Sequence, residues 1–166
     1  MERSDAHPWA WMMLAAAAVV GLDQLTKALV IDSLDVGDRN YILPFLDLVH
    51  VQNDGVAFGF LGDSSQGVVL AVTMAALVLV LGWFAFNRDR PYAWLAVGLL
   101  AGGAVGNLID RLSRDGVIDF IDFPAWPSFN FADIAITLGA VTLALIALAG
   151  PETDKDANGV PERASG

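Results

Sequence analysis

Four apolar stretches, near residues 9–31, 67–86, 91–109 and 131–149, decide what this chain can fold into. Each approaches the roughly 20 residues that an α-helix needs to cross a hydrocarbon core about 30 Å thick. The second carries no charged residue. A soluble domain of this length could bury a full core, but it would need a more polar exterior than a chain 55% hydrophobic and 17% charged provides. Arg3 and the small residues at 15–18 give the first stretch some look of a cleavable signal. Apolar sequence resumes after Lys27, however, and makes that stretch long enough to span. The expected fold is all-α and integral to the membrane, with four transmembrane helices.

The connections add detail. The first, residues 32–66, is long, and Leu46-Asp47-Leu48-Val49-His50-Val51 alternates enough to favour a short strand. Gly55, Gly59 and Gly62 then mark turns, so a small β-containing platform outside the membrane is expected in this first outer loop. Asn87-Arg88-Asp89-Arg90-Pro91 is a tight turn that makes the second and third helices antiparallel neighbours. The third connection, residues 112–130, reads as a loop whose Phe120, Phe123, Trp126 and Phe129 suit headgroup depth. Residues 1–150 are expected to form one membrane domain, and 151–166 an acidic, disordered tail. Much of the net charge of -10 lies in the loops and that tail, and no basic patch invites nucleic acid. The absence of cysteine excludes disulfides, a thiol nucleophile and Cys-based metal sites.

Polar residues inside the spans are the next constraint, because a charge in the bilayer centre costs a few kcal/mol or more. Asp23 and Lys27 interrupt the first stretch, Asn107 and Asp110 close the third, and Asp133 opens the fourth. Helices one and three run in the same direction and helix four returns. Late positions of the first and third therefore share a membrane face with an early position of the fourth. The first and third loops lie on that face too. Lysine and arginine counts set the orientation: Arg3, Arg88, Arg90, Lys155 and Arg163 fall on one side, Arg39, Arg111 and Arg114 on the other. Both termini are expected to be cytoplasmic and the polar cluster to lie near the outer leaflet.

Asp23 and Lys27 stand at i,i+4 in the favourable order for a helical ion pair, which would let the helix cross lipid and brace a neighbouring loop. Gly102 and Gly106 form a G-x-x-x-G suited to close helix packing. Asp133 could be a carboxylate that merely favours a helix start. Paired with Asp119, or with its rival Asp122, it could instead share one proton, so that one carboxylate draws a proton from water while the other polarises a peptide carbonyl. His7 and His50 have no evident serine partner and make a poor metal site. Phe60-Leu61-Gly62-Asp63 only half matches the G-x-G-D of another intramembrane protease class, and the tail's Asp154-x-Asp156-x-Asn158-Gly159 lacks the acidic twelfth residue of an EF-hand. A transporter or channel subunit is the rival reading, but an ion path should spread polar residues through the bilayer depth.

Taken in order, Asp23-Gln24-Leu25-Thr26-Lys27, Asn53-Asp54-Gly55-Val56-Ala57-Phe58-Gly59, Gly106-Asn107-Leu108-Ile109-Asp110-Arg111, 117–120 and 130–133 resemble the blocks of bacterial lipoprotein signal peptidases (signal peptidase II). The resemblance covers about residues 9–149, and the acidic tail departs from it, since many members end in a short basic one. It implies an aspartyl endopeptidase in the bacterial inner membrane that works without metal or other cofactor. Asp119 and Asp133 would be its catalytic pair. Asn53, Gly55, Asn107, Arg111 and Asn130 would line the site or bind substrate backbone, with Asp23, Lys27 and Asp110 supporting it. The substrate implied is a prolipoprotein whose Cys already carries diacylglyceryl, cleaved just before that Cys.

Overall fold

A computed structural model describes residues 7–53, 65–114 and 116–149. The elements run α1 (Pro8–Ser33), β1 (Arg39–Leu43), β2 (Leu46–Asn53), α2 (Ser65–Asn87), α3 (Ala93–Ser113), β3 (Val117–Asp122) and α4 (Phe131–Leu148). All four helices are long and apolar enough to cross a membrane. Their outward faces keep residues such as Leu14, Val78, Leu79 and Leu145 exposed, as a lipid solvent requires and water does not. Gly55, the 60–63 segment and the acidic tail lie outside the described residues.

α3 is the centre of the bundle. Within its apolar window 56% of residues are buried against the protein, compared with 6% in α2. It packs against α1, α2 and α4, whereas α2 and α4 do not pack on each other among the described residues. Small residues make the close approach possible: a Cβ on Gly102 would stand 2.8 Å from the Ala16 carbonyl oxygen of α1. At one end Met12, Phe84, Ala93 and Val97 form a core, closed by the Trp9 ring set edge-on to Phe84 at 4.8 Å.

At the other end sits the antiparallel sheet, ordered β1-β2-β3. The expected platform in the first loop is present, but its third strand comes from the third connection, expected to be a loop. Val117, Ile118 and Phe120 are all buried there. Ile118 and Phe120 join Val30 and Leu34 of α1 in a second core, seating the sheet on the helix ends. Phe129 exchanges backbone bonds with Ile121 at 2.9 and 3.0 Å, which folds the Pro/Trp loop back against β3. Phe120 is thus a core residue rather than an interfacial one, while Trp126 stays exposed. α3 also differs from expectation. It begins at Ala93 and runs to Ser113 rather than spanning 91–109, so Asn107 and Asp110 lie inside its last two turns.

Candidate active site

The polar residues of the spans meet beneath the sheet in two layers. In the deeper layer Lys27, with no exposed surface, places its Nζ 2.8 Å from Asp23 Oδ2 and 2.7 Å from Asp110 Oδ2. Arg114 pairs with the other oxygen of Asp110. Gln24 Nε2 donates to Asp110 Oδ1 at 3.0 Å and to the Gly106 carbonyl at 3.1 Å. Two cations therefore face two anions, and no buried side-chain polar atom among the described residues lacks a partner. Asp23 also spans the bundle: its Oδ1 accepts from the Ala132 amide at 3.0 Å, satisfying a free N–H of the first turn of α4.

The upper layer rests on this one through Asn107. Lys27 Nζ donates to Asn107 Oδ1 at 3.1 Å. An ammonium has only donors, so it fixes the flip of the amide and turns Asn107 Nδ2 toward Asp133 Oδ1, 2.8 Å away. Asn130 is fixed in the same way, because its Oδ1 caps α4 by accepting from the Asp133 amide at 3.1 Å. Its Nδ2 then donates to Asp119 Oδ1 at 2.7 Å and to Asn107 Oδ1 at 3.2 Å. Asp133 Oδ2 closes the capping box on the Asn130 amide at 3.2 Å. Asp133 is therefore a helix-start carboxylate and, through the two asparagines, a neighbour of Asp119.

β3 supplies Asp119 and strand pairing supplies its second partner. Asn53 pairs with Val117, which places its side chain on the face of Asp119, and its Nδ2 reaches Asp119 Oδ2 at 3.0 Å. Asp122 stands an odd number of residues away and takes the opposite face. There Arg39 holds it at 2.6 Å together with Asp47, both partly exposed. Asp119 is 2% exposed. Burial pushes its carboxyl up to about 6, with the Asp133 charge adding to the rise and the Asn53 and Asn130 amides opposing it. Arg111 donates to the Asn107 carbonyl at 3.3 Å. The structure thus gathers Asp23, Lys27, Asn53, Asn107, Asp110, Arg111, Asp119, Asn130 and Asp133 at one end of the bundle.

Sequence reasoning missed two members of this cluster. Gln24 stood inside the quoted Asp23–Lys27 block with no role assigned. Arg114 lies one turn beyond Asp110, on a helix expected to end at 109. Two cavities lie nearby: a groove of about 300 Å³ between α2 and α4 reaches Asn107 and Arg111, and a cleft of about 290 Å³ under Trp126 and Phe129 reaches Asp133. A larger cavity of about 580 Å³ lies at the other end, beside Arg90 and Tyr92, away from these carboxylates.

A sequence profile described as signal peptidase (SPase) II matches residues 15–149. The chain is 40% identical over 142 residues to a lipoprotein signal peptidase of Syntrophotalea carbinolica, covering 81% of this chain and 88% of that one. To that of Azoarcus sp. strain BH72 it is 43% identical over 137 residues, covering 78% and 77%. Two solved bacterial membrane enzyme structures superpose with TM-scores of 0.71 and 0.73, both at 31% identity. They cover 84% and 87% of this chain and 93% of each of theirs.

Proposed function

The chain belongs to the signal peptidase II family, as a multi-pass membrane protease that removes lipoprotein signal peptides, and from that premise we propose that Asp119 and Asp133 perform the cleavage. The observation that carries this reading is the pair of asparagine amides joining the two carboxylates. Asn107 and Asn130 turn only N–H groups toward Asp133 and Asp119. Neither amide offers the carboxylates an acceptor, so a proton held by the pair is not drawn to the asparagines and stays available for transfer. Asp133 receives two N–H donors at the positive end of α4 and is placed to carry the charge. Asp119, raised to about 6, is placed to carry the proton.

The chemistry follows from that division. Asp133 takes a proton from water as the water oxygen attacks the scissile carbonyl carbon, and Asp119 gives its proton to the carbonyl oxygen. The resulting gem-diol collapses as the C–N bond breaks. Asp133 passes its proton to the leaving amine, and Asp119 recovers one from a diol hydroxyl. A new carboxyl end on the signal peptide and a free amine on the lipidated Cys result. Cleavage before a diacylglyceryl Cys at one membrane face fits the convergence of α1, α3 and α4 on one end of the bundle. The lysine and arginine bias favours the outer leaflet for that end, with both termini cytoplasmic.

Single substitutions test the pair. Asp119→Asn and Asp133→Asn are expected to lower turnover of a diacylated prolipoprotein by at least about a hundredfold, the lower end of what general acid–base catalysis contributes. Asp122→Asn is expected to keep most of it, since its pair with Arg39 is exposed. Full activity with Asn at 119 or 133 would remove the pair from the chemistry, and loss at 122 with retention at 119 would move the assignment.

A further inference from the structure

Asp133 lines one apolar cavity, and Asn107, whose amide it accepts from at 2.8 Å, lines a second. On α4, Asp133, Ile134, Thr137 and Leu138 share one face and, with Trp126 and Phe129, line the cleft of about 290 Å³. Ile136 lies on the other side of Asp133 at 100° per residue and looks across the groove of about 300 Å³ toward α2. The Asn107–Asp133 hydrogen bond lies between them. A substrate whose scissile bond rests at Asp133 can place one arm in each.

The two cavities suit different arms. The groove follows α3 from Leu100 to Arg111, about 16 Å along the bundle at 1.5 Å per residue, and lies between two helices that do not touch. That matches an apolar peptide segment. The cleft touches α4 only from Asp133 to Leu138, about 8 Å at 1.5 Å per residue, too short for a helix about 10–12 Å across. Its one hydroxyl, Thr137, already donates to the Asp133 carbonyl at 2.8 Å. Below it the wall continues as Leu138, Val141 and Leu145, exposed by 54, 53 and 61% and spaced to lie on one stripe. Thin apolar chains can enter beside Asp133 and run down this stripe without leaving the bilayer.

We propose that the cleft under Trp126 and Phe129, walled by Ile134 and Leu138, takes the acyl chains of the substrate's lipidated Cys, while the signal segment occupies the α2–α4 groove. The substrate then straddles α4, and the cleft sets the preference for long acyl chains. This assignment rests on the aspartyl reading above.

The test uses the full-length protein in nanodiscs and synthetic lipobox peptides whose Cys carries dipalmitoyl or dibutyryl glycerol. Wild type should favour the dipalmitoyl peptide in kcat/KM. Leu138→Trp, at a lipid-facing position, should cut the dipalmitoyl-to-dibutyryl ratio by about tenfold or more, the scale of lost apolar pocket contacts. Trp126→Ala should lower the same ratio. Ala76→Trp, in the α2 wall of the groove, should reduce both substrates alike and leave the ratio unchanged. A ratio unmoved by both Leu138→Trp and Trp126→Ala, or moved as far by Ala76→Trp, overturns the assignment. Retained cleavage of both peptides by Asp119→Asn would instead sink the aspartyl reading and leave the ratios interpretable.

Discussion

The choice between Asp119 and Asp122 shows what a residue's neighbours decide. In the sequence both are carboxylates beside aromatics, and nothing in Val117-Ile118-Asp119-Phe120-Ile121-Asp122 alternates cleanly, because the strand is buried along most of its length. Once β3 forms, odd spacing sends one inward to Asn53 and Asn130 and the other outward to Arg39. The buried position gives a pH prediction. If the protonated Asp119 is the form that works, kcat/KM should fall as pH rises through about 6, the value to which burial pushes it. The Asn53 bond lowers that value, so Asn53→Ala should move the alkaline limb to higher pH. A pH–rate profile of the free enzyme checks the direction independently of any loss in rate. A limb unmoved by Asn53→Ala would detach Asp119 from the titration.

Elements carry the next layer, and here legibility was uneven. The helices announced themselves by apolar length, and their alternating direction already put Asp23, Lys27, Asn107, Asp110 and Asp133 on one face. β3 was hidden because its partner β2 lies on the far side of α2 and α3 in the sequence, and no local pattern reports such a pairing. Arg114 was lost with the last turn of α3. The G-x-x-x-G was legible as packing, but Gly106 does more: a Cβ there would stand 2.7 Å from Asp23 Oδ2. That oxygen is held by Lys27, and its twin caps Ala132. Gly106→Ala should therefore strain the joint of α1, α3 and α4. It should cost on the order of 1–3 kcal/mol and lower activity, read as a drop in Tm in detergent. Gly82→Ala on α2, where a Cβ meets nothing within 4 Å, should leave both unchanged.

For the whole molecule, the consequential feature is the separation of α2 from α4. α3 holds each of them, yet between them it leaves the groove that reaches Asn107 and Arg111. No sequence pattern could report this, since α2 is apolar all round and reads the same whether it packs on one neighbour or two. If a signal segment enters sideways from the bilayer through this groove, tying α2 to α4 should stop cleavage without touching the carboxylates. The two helices stand too far apart for a disulfide, which needs Cα atoms within about 7 Å. A short bifunctional thiol reagent can bridge them, and a chain without cysteine gives a clean background. Thr73→Cys with Ile136→Cys, one on each wall, should stay active until bridged by a reducible bis-maleimide. Activity should then fall and return when the linker is cut. The single-cysteine variants, treated alike, should keep theirs. Full cleavage by the bridged double variant would mean that the substrate reaches Asp119 and Asp133 by another route.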